Sequence, residues 1–149
     1  MEENKKIVVF TVDGESFGAD ILEVSEIIRM EKITPLPQSA EFVEGVINLR
    51  GELCTILNLR KRLGYEPQAN NDDAKIIVVS EAQSGLIVDS VTEIINVQAE
   101  DIKPIDSIDL LKNGGIVDYL VQSNDRITSV LKMDEILKGT SKEKQEEVA

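Results

Sequence analysis

The chain has 149 residues, 42% hydrophobic and 30% charged, with 28 Asp and Glu against 16 Lys and Arg, for a net charge of −12. That length holds one domain or two very small ones, and that charge repels nucleic acid phosphates and anionic membrane surfaces. With no histidine and one cysteine, Cys54, the chain lacks the commonest general base and metal ligand, any cysteine cluster and any internal disulfide.

A lone cysteine points to a reducing compartment. The opening Met1-Glu2-Glu3-Asn4-Lys5-Lys6 lacks the apolar core of a signal peptide, and no window of 18 apolar residues exists. The expectation is a soluble cytoplasmic protein.

Ile7 to Val12 is the first element, a β-branched apolar run that predicts a strand. Asp13-Gly14 follows as a hairpin signal, because both residues tolerate positive φ. Val24 to Met30 is too β-branched for a helix. Val46 to Leu49 and Leu53 to Leu57 flank Arg50-Gly51, a second hairpin. Leu57, Leu59 and Leu63 before Gly64 predict a helical turn stopped by glycine. Glu66 to Asp73 is polar and reads as a connecting loop. Lys75 to Val79 is another strand, and Asn124-Asp125 offers a weaker turn between two apolar stretches. Met133 to Leu137 before Gly139 repeats the helical stub. Gly139 to Ala149 is a polar tail.

The second half repeats the first. Lys6-Ile7-Val8-Val9 returns as Lys75-Ile76-Ile77-Val78, 69 residues on, and Val24-Ser25-Glu26-Ile27-Ile28 as Val91-Thr92-Glu93-Ile94-Ile95, 67 on. Ile33 and Pro35 find Ile102 and Pro104 at 69, Gly45-Val46-Ile47 finds Gly115-Ile116-Val117 at 70, and Leu53 to Leu57 finds Ile127 to Leu131 at 74. Duplication implies two similar units. Each has about five short strands and a helical stub, spacing that suits a small barrel. The expected fold is all-β, two similar five-stranded barrels over residues 6–69 and 70–138. A barrel of roughly 70 residues buries a modest core. The doubly apolar strands therefore predict a shared seam, one face filling a barrel and the other meeting its sister.

The chain holds no Gly-rich phosphate loop. Acid pairs such as Asp89 with Glu93, or Glu23 with Glu26, read better as solvated faces than as acid–base machinery. Cys54 sits in an apolar strand opposite Thr128 in the repeat and reads as a buried thiol. An enzyme or small-ligand carrier on a small barrel would need a pocket of convergent polar groups, and the residue inventory suggests none. Gly45 to Gly51 stands out. An arginine at a hairpin tip suits docking to carboxylates or carbonyls. It equally suits a local pair with Glu26 or Glu52.

With Phe42 to Gly51 (Phe-Val-Glu-Gly-Val-Ile-Asn-Leu-Arg-Gly) as its signature, the chain is similar to the CheW family, the coupling proteins of bacterial chemotaxis. Phe17 to Ile21, Val24 to Ile27, Thr34 to Pro37, Ile56 to Leu59, Ile87 to Val91 and Val130 to Met133 fall around that signature, so the likeness runs from about residue 6 to 138. Ser129 to Lys132 departs from the pattern, being more polar than that strand's usual end.

The resemblance implies two five-stranded barrels that exchange strands, no catalysis and no cofactor or metal. It implies two partners, the regulatory domain of the histidine kinase CheA and the cytoplasmic tip of methyl-accepting chemotaxis receptors, a helical hairpin. The protein would be cytoplasmic and reach membrane receptor arrays through these contacts. By motif, a receptor-binding groove between the barrels would use Val24, Glu26, Gly45, Asn48, Leu49, Arg50, Val88 and Asp89. Kinase contacts would fall on Asp13, Gly14, Ile27, Ile28 and Met30. A related scaffold serving another receptor-like or motility pathway is the alternative role.

Overall fold

The structure, a computed structural model, describes residues 5–37, 39–68, 71–80, 82–104, 115–123 and 125–138. Among them eleven strands and two short helices follow in order. They are β1 (Lys5–Val12), β2 (Glu15–Asp20), β3 (Val24–Arg29), β4 (Val43–Leu49), β5 (Glu52–Asn58), α1 (Leu59–Leu63), β6 (Lys75–Val79), β7 (Ser84–Val88), β8 (Ser90–Val97), β9 (Ile102–Lys103), β10 (Val117–Ser123), β11 (Arg126–Leu131) and α2 (Met133–Ile136).

These strands form two sheets, and each draws on both halves of the sequence. One has the order β8-β1-β2-β11-β10-β9, the other β3-β6-β7-β5-β4. The first hairpin, β1–β2, therefore lies in the sheet built mostly from the second half, and β6–β7 lies in the sheet built mostly from the first. Among the described residues the chain crosses between sheets twice. Between β2 and β3 the 3-10 turn Ile21–Glu23 makes the crossing, and between β7 and β8 it is Asp89 alone.

The two sheets have the same plan. Where the larger carries β9 on Leu120 and Val121, the smaller carries a single bridge from Thr34 to Val46, so six strands match five plus a bridge. The register corrects one repeat assignment. Val43 faces Leu57 across β4–β5, and Val117 faces Leu131 across β10–β11, so both members of the pair are displaced by 74 residues. Gly45 is thus the counterpart of Tyr119, not of Gly115, which precedes β10. Each strand carries an irregularity there, Val43 to Gly45 and Val117 to Tyr119. The apparent offset of 70 came from small and β-branched residues common to any strand entrance.

Apolar alternation explains the shared core. Along β1, Ile7 and Val9 join one cluster with Val97, Val121 and Val130 inside the larger sheet, while Phe10 and Val12 turn the other way. On β6, Ile76 and Val78 join Ile47, Cys54 and Ile56 inside the smaller sheet, while Ile77 and Val79 turn toward Phe10, Phe17 and Leu86. Three clusters result, one within each sheet and one between them. Fully burying each such side chain contributes about 1.5–3 kcal/mol, so the central seam holds the two sheets together.

Helix α1 starts later than Leu57, which is the last core residue of β5. Asn58 caps α1 by accepting from the Lys61 backbone N–H at 3.3 Å, and Gly64 closes it in the left-handed region. In the repeat, Lys132 takes the cap position of α2 with no side-chain cap bond, which is where Ser129 to Lys132 departs from the pattern. Packing is unaffected, because Val130 and Leu131 are buried. Asn70, Asn124, Gly139 and the predicted tail from Gly139 to Ala149 lie outside the described residues.

Candidate functional site

The β4–β5 hairpin turns at Arg50-Gly51, with φ of 53° and 90°. Two consecutive positive φ values make the primed turn that matches strand twist, and that turn favours Asn or Gly at its first position. The equivalent turn in the second half reads Asn124-Asp125. Arg50 therefore occupies a position where its backbone is strained. Asn48 stabilises the turn by accepting from the Gly51 backbone N–H at 2.8 Å.

From this tip the Arg50 guanidinium reaches Glu26 on β3 and donates to both carboxylate oxygens. Strands β3 and β4 are the two edges of the smaller sheet, so the pair spans its open side. The Arg50 side chain is 68% exposed, and an ion pair so wet contributes little to stability. Hydrogen bonding from Arg50 holds the Glu26 carboxyl below its ordinary pKa.

Behind this pair lies a cleft of about 430 Å³. Leu49 and Leu53 form its apolar wall, Val78, Val79 and Cys54 its floor, and Glu52 and Gln83 its far rim, joined by a 2.9 Å hydrogen bond. Leu53 is 63% exposed, a large apolar side chain facing water beside a charged pair. Cys54 is buried, and burial first, then Glu26, pushes its thiol pKa up, so it is a poor nucleophile.

The structure brings together Glu26, Leu49 and Arg50, with Asn48 bonded into the same hairpin turn, and places Val24, Gly45, Val88 and Asp89 outside the cleft lining. The cleft is not in the seam between the sheets: every residue lining it belongs to a strand or hairpin turn of the smaller sheet. Val24 is half-buried against the central core. Gly45 is buried, and an added Cβ would overlap the Thr34 carbonyl, so its role is backbone approach. Val88 is fully buried in the central core, so it offers no side-chain surface to a receptor-binding groove.

Asp89 sits at a second cleft, of about 470 Å³, on the other side of the β3–β6 pair's ends. Arg60 of α1 donates to both of its oxygens, at 3.0 and 2.8 Å, and lies 3.2 Å from Asp13. The Asp13 backbone N–H donates to the same carboxylate at 2.8 Å. Burial pushes the Asp89 carboxyl up, but these bonds and the Arg60 charge outweigh it and hold the pKa below the ordinary value. Met30 lines this cleft too. Thus Asp13 and Met30, expected on the kinase side, share a site with Asp89, expected on the receptor side. Gly14 is exposed beside Asp13 and Ile27 is exposed on β3. Ile28 is half-buried, packed against the Ile47–Cys54 cluster. Arg60 was missed because Leu59 to Leu63 reads only as a helical turn, and nothing in that spacing marks one arginine as bonded to Asp89 and Asp13.

Among the described residues no cluster of His, Cys, Asp or Glu could hold a metal ion, and no helix is long and apolar enough to cross a membrane. Comparison with known proteins then places this architecture. The CheW-like domain matches residues 6–141. The chain is 30% identical to the chemotaxis protein CheW of Helicobacter pylori over 139 residues, covering 92% of this chain and 84% of that one. Against the chemotaxis protein CheW of Thermotoga maritima the identity is 30% over 135 residues, 89% and 87% of the two chains. The crystal structure of the scaffolding protein CheW from Thermoanaerobacter tengcongensis superposes with a TM-score of 0.82 at 33% identity, covering 91% of this chain and 94% of that one. The chain belongs to the CheW-like domain family.

Proposed function

We propose that this protein is a non-enzymatic chemotaxis coupling adaptor that links methyl-accepting chemotaxis receptors to the histidine kinase CheA, working in the cytoplasm at receptor arrays. The observation that carries the reading is Arg50. It is held at positive φ on a hairpin tip, bonded to Glu26 across an open cleft with an apolar wall. A cleft of this shape accepts the apolar face of a helix, and the charged pair at its rim sets register and orientation. The second cleft, lined by Met30 and by Arg60 with Asp13 paired to it, would face the kinase regulatory domain. Two separate surfaces on one rigid body are what a coupling protein needs, since both partners must bind at once.

Leu53→Asp tests the apolar wall. An exposed site tolerates the change within about 0.5 kcal/mol of stability, so thermal unfolding stays near wild type. Calorimetric titration with a receptor-tip fragment is expected to show affinity reduced by roughly tenfold or more, as for other buried apolar anchors. Unchanged affinity would remove Leu53, and the wall it forms, from the site.

A further inference from the structure

The Arg60 cluster has a property that the duplication exposes. Arg60 is 11% exposed at its side chain and bonds to three separate pieces of chain. It donates to Asp89, the residue that crosses between the sheets, pairs with Asp13 at the β1–β2 hairpin tip, and donates to the Glu66 carbonyl after α1 at 2.7 Å. The crossing is pinned further. The Asp89 N–H donates to Thr11 O at 2.9 Å, and Asn71 donates to Asp89 O at 2.9 Å.

Repeat equivalence shows what the other crossing has instead. The offset of 67 that relates Val24 to Val91 places Leu22 where Asp89 stands, and the offset of 74 that relates Leu57 to Leu131 places Asp134 where Arg60 stands. Leu22 is 83% exposed and has no side-chain polar group with which to bridge segments. The equivalent crossing instead uses the 3-10 turn Ile21–Glu23, capped by Asp20, so topology does not require an arginine there. The cluster is partly buried, with Asp13 still 49% exposed, and its bidentate geometry specifies one arrangement of the three segments.

We propose that Arg60 is a positioning residue, fixing the Asp13-Gly14 hairpin tip against the Asp89 crossing so that the tip is held in one arrangement for the kinase regulatory domain. This rests on the reading of that tip as kinase-facing. The guanidinium suits the task because its planar fork reaches two oxygens of Asp89 while a third donor faces Asp13. A lysine ammonium at the same place keeps the charge and loses the fork.

The test compares the full chain with Arg60→Lys and, should lysine leave the slot strained, Arg60→Met, which keeps bulk without charge. Hydrogen exchange is followed at the Asp13 and Asp89 amides and at the β6 amides Ile76 to Val79. Binding is measured to the kinase regulatory domain and, separately, to a receptor-tip fragment. The expected result is exchange about tenfold faster at Asp13 and Asp89 than in wild type, the scale of one charge-assisted hydrogen bond, with β6 much less affected. Kinase-domain affinity falls by a similar factor, while receptor-fragment affinity stays within about twofold. Acceleration shared equally by β6 would show that Arg60 serves global stability and would overturn the proposal. A released tip with unchanged kinase affinity would overturn it as well. A wild-type chain that ignores the kinase domain would sink the adaptor reading and the presentation role with it, while exchange would still report on the clamp.

Discussion

Replacing Gly45 with alanine is expected to destabilise the protein by about 3 kcal/mol or more, the sum of overpacking and a backbone conformation that L-residues avoid. Gly45 has φ of 147°, and a Cβ built there would stand 2.7 Å from the Thr34 carbonyl carbon and 2.9 Å from Ile33 Cγ2, besides overlapping the Thr34 oxygen. Thr34 cannot retreat cheaply. Its N–H donates to Val46 O and its carbonyl accepts from Val46 N, both at 2.9 Å. That bridge is the outermost pairing of the smaller sheet, and its loss would free the edge beside the Arg50 hairpin. Chemical denaturation would show the drop, and receptor binding would fall with it as a secondary effect. A midpoint unchanged from wild type would mean that Thr34 does not pack where the structure puts it. Gly45 would then matter to binding as a direct contact, although it is buried.

Arg50→Asn separates binding from stability in the opposite sense. Asparagine is the residue type that the equivalent turn carries at position 124, and it accepts positive φ more readily than arginine. The Glu26 pair that it forfeits is exposed and contributes little. The variant should therefore melt at or ~2 °C above wild type, yet bind a receptor-tip fragment roughly thirtyfold more weakly, the loss typical of removing a hot-spot arginine. Stability and function trading against each other at one position is the expected mark of a residue kept for its partner. Arg50→Glu should bind more weakly still, because two carboxylates would then face each other across the rim. If Arg50→Asn bound normally, the arginine would be a rim ornament, and the carrying observation would fall away.

Much of this was legible in the sequence, for reasons that local chemistry supplies. Asp13-Gly14 and Arg50-Gly51 carry turn chemistry within two residues, and both form primed hairpins. The β-branched runs Ile7 to Val12 and Lys75 to Val79 are apolar on both faces because both faces are covered. Which sheet each hairpin joins is a different matter. That β1–β2 leaves its own half is decided by parallel pairing of β2 with β11 and of β5 with β7, contacts far apart in sequence that leave no local signal. The family resemblance supplied the idea of exchanged strands; residue patterns did not.

Site residues divide in the same way. Glu26 and Arg50 could be paired on charge alone, with Glu52 as an equal rival, and only the sheet's edge order brings Glu26 across from the turn. Val88 illustrates the limit of a motif. In a strand, neighbouring side chains face opposite ways, so residues adjacent in a motif are divided between surface and core, and burial settles which is which. Asp89 belongs with Asp13 because α1 delivers Arg60 between them, a meeting of three segments that no spacing rule anticipates.

The decisive measurement mixes three purified components, this chain, a CheA regulatory domain and a receptor-tip fragment, and follows them by sedimentation velocity. The three together should sediment as one complex faster than any pair. Arg50→Glu should remove only the receptor fragment from that complex. If the chain binds one partner at the expense of the other, or if the Arg50→Glu chain retains both, then two independent docking surfaces on one body is the wrong description.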